Sequence, residues 1–241
     1  MCVIIVMKDK MPTIDVLKQC EDRNPHGGGI SWVKNGVVKF KKGIGHKEIY
    51  NIAKNSEGHC VAHFRISTVG GQPKELCHPF PVSEKCSDAI SGESDAVLFH
   101  NGHWSNWEEH MLGMAIYRGE TYPGGKWSDS RAMAWICSKT KWDFLEMICS
   151  DQRVAIHTKE KVHMWGDFKK KDGILYSNLN WEPYDYYKNK NVMYGNFLHN
   201  RNTEHIETGM FGDEFSDSWK EGYFYDSKTG LYVNHSKIKG D

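Results

Sequence analysis

The chain begins with an unbroken apolar run, Cys2-Val3-Ile4-Ile5-Val6-Met7, that stops at Lys8-Asp9-Lys10. A short run rich in β-branched residues with a charged stop reads as an N-terminal strand. Residues 11–22 carry helical spacing, with Ile14, Leu17 and Val16 or Cys20 on one side and Thr13 as a cap. The stretch Asn24-Pro25-His26-Gly27-Gly28-Gly29 breaks regular structure and reads as a loop. Residues 30–33 and 37–40 alternate as strands around Asn35-Gly36, the strongest short-range hairpin signal. Residues 46–55 predict a helix and residues 60–66 a strand, followed by a glycine-bearing loop. Residues 96–100 predict a short strand ending on Asn101-Gly102. Ser105-x-x-Glu108 then reads as a capping box opening a helix. Ser128-Asp129-Ser130 caps a helix over 131–139, a further helical piece covers 142–149, and residues 154–158 and 161–165 pair as strands. Beyond about residue 180 the composition shifts to Tyr, Asn, Asp and Lys, with one more hairpin predicted from Tyr223-Phe224-Tyr225 and Leu231-Tyr232-Val233. Strands, then helices, then strands again predict an α+β or layered α/β domain with antiparallel sheets.

Composition narrows the function classes. The chain has 241 residues, room for one large domain or one domain with an extension. Lys+Arg and Asp+Glu balance at 31 each, which argues against a general nucleic-acid binder, since phosphate neutralisation needs excess positive charge. No stretch has the length of a membrane span, and the first apolar run is too short for a signal peptide. The seven cysteines are scattered without Cys-x-x-Cys pairs, so neither a disulfide framework nor a zinc site is expected. Cys77-His78 with Cys86 matches no standard metal spacing. A reducing cytoplasm is the expected location.

Chemistry enters at Cys2. Methionine is usually trimmed before a small second residue, which would leave a free α-amine on a cysteine. An α-amine of pKa about 7.7–8.0 can take the proton of a thiol of pKa about 8.5, so one residue supplies nucleophile and base. A retained methionine would block that amine. By position alone, Cys2 reads first as a buried cysteine in an N-terminal strand. Three other places offer matching groups. Asn101-Gly102 supplies a side-chain amide and a backbone N–H for an oxyanion, or is simply a turn. Arg65 can grip a carboxylate bidentately, or serve a structural ion pair. Asp129 can hold an α-ammonium, or act only as a helix cap. His63, His78 and His100 read as core or supporting histidines, and Trp32, Trp104, Trp107 and Trp135 as packing residues.

Taken in order, these segments resemble a known family. Cys2, the run from Ala62 through His63, Phe64, Arg65, Ile66 and Ser67 to Thr68, then His78-Pro79-Phe80, Phe99-His100-Asn101-Gly102 and Ser128-Asp129-Ser130 are similar to the ordered motifs of class II glutamine amidotransferases. The loop from Arg23 to Ile30 is similar to that family's glycine-bearing loop. Among its subgroups, the stand-alone glutaminase-like proteins are the most similar. The resemblance spans roughly residues 2–180; residues 181–241 are an extension that matches nothing familiar and is expected to pack on the same domain. It implies an Ntn-hydrolase fold, a four-layer αββα sandwich with antiparallel sheets. It implies hydrolysis of glutamine through a γ-glutamyl thioester on Cys2, with Asn101 and Gly102 as the oxyanion hole. It further implies Arg65 on the substrate carboxylate, Asp129 on its ammonium, Thr68 as a substrate contact, and a covering loop from Val69 to Pro81 hinged at Gly70-Gly71. No cofactor or metal is implied. Two positions depart from the family pattern: His26 where aspartate is usual, and Val69 where many members have histidine.

Three functions follow as expectations. The first is a glutaminase supplying ammonia to a separate synthetase, since the chain has no Gly-x-x-x-x-Gly-Lys-[Ser/Thr] motif of its own. The second is a self-sufficient hydrolase of glutamine or another γ-glutamyl amide. The third is a catalytically silent binding module that keeps the fold. The C-terminal extension either docks a partner or wraps the domain.

Overall fold

The computed structural model describes residues 2–67, 73–149 and 151–183, together with the backbone of two strands at 223–226 and 231–234. The chain divides after Pro183. The first unit is mixed α+β with antiparallel sheets. The second contains β12 (Tyr223–Asp226) paired antiparallel with β13 (Leu231–Asn234), where the sequence places its last hairpin.

In the first unit one sheet of seven strands has the order β10-β11-β1-β4-β2-β3-β6 among the described residues. Its strands are β1 (Val3–Met7), β2 (Gly28–Lys34), β3 (Val37–Ile44), β4 (Cys60–Phe64), β6 (Ser91–Ser94), β10 (Lys169–Lys171) and β11 (Ile174–Tyr176). The second sheet has the order β5-β7-β8-β9, formed by β5 (Phe80–Pro81), β7 (Ala96–Asn101), β8 (Arg153–Thr158) and β9 (Val162–Trp165). The helices are α1 (Ile14–Arg23), α2 (His46–Lys54), α3 (Trp107–Arg118), α4 (Asp129–Cys137) and α5 (Phe144–Ile148).

β1 explains why its sequence is apolar throughout. It lies between β11 and β4, and both of its faces are covered. Val3, Ile5 and Met7 join Leu17 and Cys20 of α1 and Ile49 of α2 in one cluster. Ile4 and Val6 join Val38, Phe40 and Val61 of the same sheet and Val97, Phe99 and Ala155 of the other. At about 1.5–3 kcal/mol per fully buried aliphatic side chain, this strand is a major contributor to the core. A third cluster joins the opposite face of the second sheet (Leu98, Val154, Ile156) to Met111 of α3, Trp135 of α4 and Leu145 of α5.

Local signals hold where they are self-contained. Asn35 and Gly36 both have positive φ, 54° and 75°, which makes the two-residue turn that joins β2 to β3. Thr13 accepts the Val16 N–H at 3.3 Å and Ser128 accepts that of Arg131 at 3.3 Å, so both predicted caps form. Three expectations are corrected. Gly28 and Gly29 belong to β2 rather than to a loop. A Cβ on Gly29 would stand 2.0 Å from the His78 carbonyl oxygen, so this glycine admits a crossing chain, not a turn. Ile14 is exposed, and the buried side of α1 is carried by Leu17 and Cys20. The capping box at Ser105 does not form. α3 starts at Trp107 behind Asn106, because Trp104 is buried and its N–H is held by Asp129, which leaves 105–106 in a turn.

Candidate active site

A cavity of about 120 Å³ opens where β1 and α4 begin and β4 and β7 end. Cys2, Arg65, Gly102 and Asp129 all line it, with His78, His103, Trp107 and Trp127 among the other walls.

Cys2 immediately precedes β1. Its carbonyl accepts from Asn178 Nδ2 at 2.7 Å, which ties the chain start to the segment after β11. Its sulfur accepts the Ile66 N–H at 3.4 Å and faces the Ile66 carbonyl at 3.5 Å. Burial pushes the thiol above its ordinary pKa. The Ile66 N–H and the Arg65 charge pull it back, and Asp129 adds to the push.

Arg65 follows β4 and extends its ladder. Its N–H donates to the Gly27 carbonyl at 2.9 Å, and its carbonyl accepts from the His26 N–H at 2.9 Å. The guanidinium is 7% exposed, and Nη2 donates to Ser67 Oγ at 3.0 Å. The Ser67 N–H in turn donates to His26 Nδ1 at 2.8 Å.

Asp129 occupies the first turn of α4, where the helix dipole favours a carboxylate. Its Oδ1 accepts from the Ser130 N–H at 2.7 Å and lies 3.1 Å from Ser130 Oγ, and its Oδ2 accepts from the Trp104 N–H at 3.2 Å. Ser128 is the cap, and Asp129 engages the first turn through Oδ1 on the Ser130 N–H while Oδ2 holds Trp104. His100 Nδ1 stands 3.0 Å from Ser130 Oγ, and Nε2 2.7 Å from Gln152 Oε1. Burial holds His100 below its usual pKa, against the opposing pull of Asp129 and Gln152. The Ser130 hydroxyl donates to Asp129 Oδ1 and also stands within hydrogen-bond reach of His100 Nδ1, so it links the carboxylate to the buried ring.

Asn101 is placed differently from the other candidates. It ends β7, is buried, and is not among the residues that line the cavity. Its Nδ2 donates to Ser177 Oγ at 2.8 Å, and the same oxygen accepts the Ile4 N–H at 2.8 Å. Gly102 is at the wall, and no larger residue fits there: a Cβ would lie 2.7 Å from Gln152 Cγ and 2.9 Å from His100 Nε2. Thr68, Val69 and the Gly70-Gly71 hinge lie outside the described residues. The described remainder of the covering loop supplies Leu76 and His78 to the cavity.

Several supporting residues carried no signal in the sequence. Ser177 and Asn178 act across more than 170 positions of chain. Arg131, almost fully buried, donates to the carbonyls of Cys86, Lys126 and Gly124 at 2.9, 2.6 and 2.8 Å and lies 4.2 Å from the Trp127 ring, fixing the loop that brings Trp127 to the cavity. Buried Lys42, its pKa drawn down to about 8 by desolvation, donates to the Glu75 carbonyl at 2.8 Å and so pins the turn that carries Leu76. The His63 and His78 rings meet 4.0 Å apart at a tilt of 43°, and their ring nitrogens make no hydrogen bond of normal geometry among the described residues. Burial holds His63 down to about 3 and His78 well below its usual range, so both rings are neutral at pH 7.

Among the described residues no group of three or more His, Cys, Asp or Glu is placed to hold a metal ion, and no helix is long and apolar enough to cross a membrane. No protein-family model matches the chain, and no curated protein matches it.

Proposed function

We propose that the protein is a glutamine amidohydrolase of the class II amidotransferase type, working through Cys2. The observation that carries this reading is the convergence of Cys2, Arg65, Gly102 and Asp129 on one small cavity from four separate parts of the chain. A volume of about 120 Å³ is well below that of drug-sized ligand sites, about 300–1,000 Å³, and favours a small polar molecule. A guanidinium and a carboxylate in one wall complement the carboxylate and ammonium of a free amino acid.

With Met1 removed, the α-amine of Cys2 takes the thiol proton. The sulfur attacks the side-chain carbonyl carbon of glutamine, and the π electrons move to oxygen. The Gly102 backbone at the cavity wall stabilises that oxyanion, and Asn101, set back from the wall, must turn the second hydrogen of its Nδ2 toward it as the substrate enters. The first hydrogen is committed to Ser177, and an amide nitrogen has two to give. Collapse breaks the C–N bond, the ammonium returns its proton to the leaving nitrogen, and ammonia departs. Water then cleaves the thioester to give glutamate and free Cys2. The raised thiol pKa fits a nucleophile that stays protonated until its base and substrate are in place.

The finer fold reading is proposed with it. The three apolar clusters, helix against sheet, sheet against sheet and sheet against helix, are those expected of a four-layer αββα Ntn sandwich. The ammonia acceptor is proposed to be a separate synthetase. Ammonia release from L-glutamine, measured for the wild type and Cys2→Ala with intact mass confirming loss of Met1, tests the reading. Release abolished by Cys2→Ala is expected; no release from the processed chain, with or without candidate partners, overturns it.

A further inference from the structure

Three polar groups of one residue, His26, reach the segment that supports both the nucleophile and the substrate clamp. Its backbone N–H donates to the Arg65 carbonyl at 2.9 Å. Its backbone carbonyl accepts from Cys77 Sγ at 3.6 Å, linking the segment to the wall that continues into His78. Its ring Nδ1 accepts the Ser67 N–H at 2.8 Å. Between these anchors lie Arg65, whose Nη2 bonds Ser67 Oγ at 3.0 Å, and Ile66, whose N–H points at Cys2 Sγ at 3.4 Å.

We infer that His26 is a positioning residue for glutamine hydrolysis: it holds residues 65–67 so that the Arg65 guanidinium and the Ile66 N–H face the cavity together. This rests on the function proposed above. β4 stops at Phe64, so no strand ladder fixes residues 66 and 67. The described bond that fixes the Ser67 backbone N–H is the one to the imidazole. What the position requires is a side-chain acceptor two bonds beyond Cβ, and the imidazole Nδ1 provides it. Asparagine places a carbonyl oxygen at the same distance from the backbone, whereas leucine fills similar space with no acceptor.

The test compares His26→Asn and His26→Leu with the wild type in three measurements: hydrogen–deuterium exchange over residues 65–67, mapped alkylation of Cys2 by iodoacetamide, and steady-state glutamine hydrolysis. Cys2 is half-buried while the other cysteines among the described residues are buried, so alkylation mapped to Cys2 reads this site. His26→Leu is expected to speed exchange at 65–67, change the Cys2 alkylation rate, and raise the KM for glutamine about tenfold or more with a smaller change in kcat. His26→Asn is expected to stay within about twofold of the wild type in all three. A merely structural histidine would lower the melting temperature of both variants alike and leave the KM-against-kcat split unmoved. Wild-type exchange and KM in His26→Leu, or failure of His26→Asn to restore them, overturns the inference. A wild type that alkylates and exchanges as described but releases no ammonia overturns the proposed function instead, while the exchange comparison still decides the clamp.

Discussion

Ser177→Ala is the most informative single perturbation, because one hydroxyl oxygen serves both the fold and the proposed oxyanion donor. It accepts the Ile4 N–H and Asn101 Nδ2, each at 2.8 Å, in a position 1% exposed. Alanine leaves two buried donors without an acceptor. At about 1–3 kcal/mol each the ceiling is about 6 kcal/mol. The Asn101 amide can rotate toward another partner, so the lower end, about 2–3 kcal/mol, is expected. That is a large share of a typical 5–15 kcal/mol total, but it leaves the chain folded at 25 °C. Rotation is also what harms catalysis. Deleting an oxyanion donor costs about 2.7–4 kcal/mol, so a donor displaced but not deleted should lower kcat about 10–100-fold. Urea denaturation and ammonia release, measured on one preparation, separate the two effects. Leu17→Ala is the control: it opens a cavity under α1 at a comparable or larger cost, about 3 kcal/mol, without touching the cavity wall, and should leave kcat unchanged. A Ser177→Ala protein that loses stability but keeps kcat would refute the role given to Asn101.

Other outcomes are equally definite. Arg65→Ala should raise the KM for glutamine about 10–100-fold, the worth of a charge-assisted hydrogen bond at about 1.5–3 kcal/mol, with far less effect on folding; an unchanged KM removes it from substrate binding. Gly102→Ala should lower kcat about 100-fold, because its methyl meets Gln152 and His100 and shifts the backbone at the cavity wall where the proposed oxyanion donor sits; wild-type turnover would place the oxyanion elsewhere. His63 and His157 are each held down to about 3, against about 6.5 in an unfolded chain. Below 6.5 the unfolded state binds more protons, so stability is full above that pH and drains as pH falls toward 3. Between pH 7 and pH 5 each histidine should cost about 2 kcal/mol, read as a falling urea midpoint; an identical midpoint at the two pH values contradicts their neutral burial.

What the sequence revealed follows the range of each interaction. The β1 run, the Asn35-Gly36 turn and the Thr13 and Ser128 caps are decided within a few residues, and all were legible. β11 was not: a three-residue strand has too little alternation to announce itself, and its importance comes from pairing with β1. Ser177 and Asn178 just beyond it look like ordinary loop residues until the pairing brings them under Asn101 and Cys2. The same distance effect misled at two places. Ser105-x-x-Glu108 is a sound local cap signal, overruled because Asp129 holds Trp104. Gly28-Gly29 looks like a loop locally, yet its glycines leave room for the Ile44 carbonyl of the neighbouring strand and for the His78 carbonyl. Of the candidate site, residue types and order were readable; that the Asn101 amide bonds Ser177 and stands off the cavity wall was not, because nothing local encodes it.

The central claim is a covalent γ-glutamyl intermediate on Cys2. Rapid acid quench of the processed protein turning over L-glutamine, followed by peptide mass spectrometry, tests it most directly. A γ-glutamyl adduct on the Cys2 peptide, absent in Cys2→Ala and weakened in Arg65→Ala, is the predicted result. Sustained ammonia release with Cys2 unmodified, or undiminished in Cys2→Ala, contradicts it.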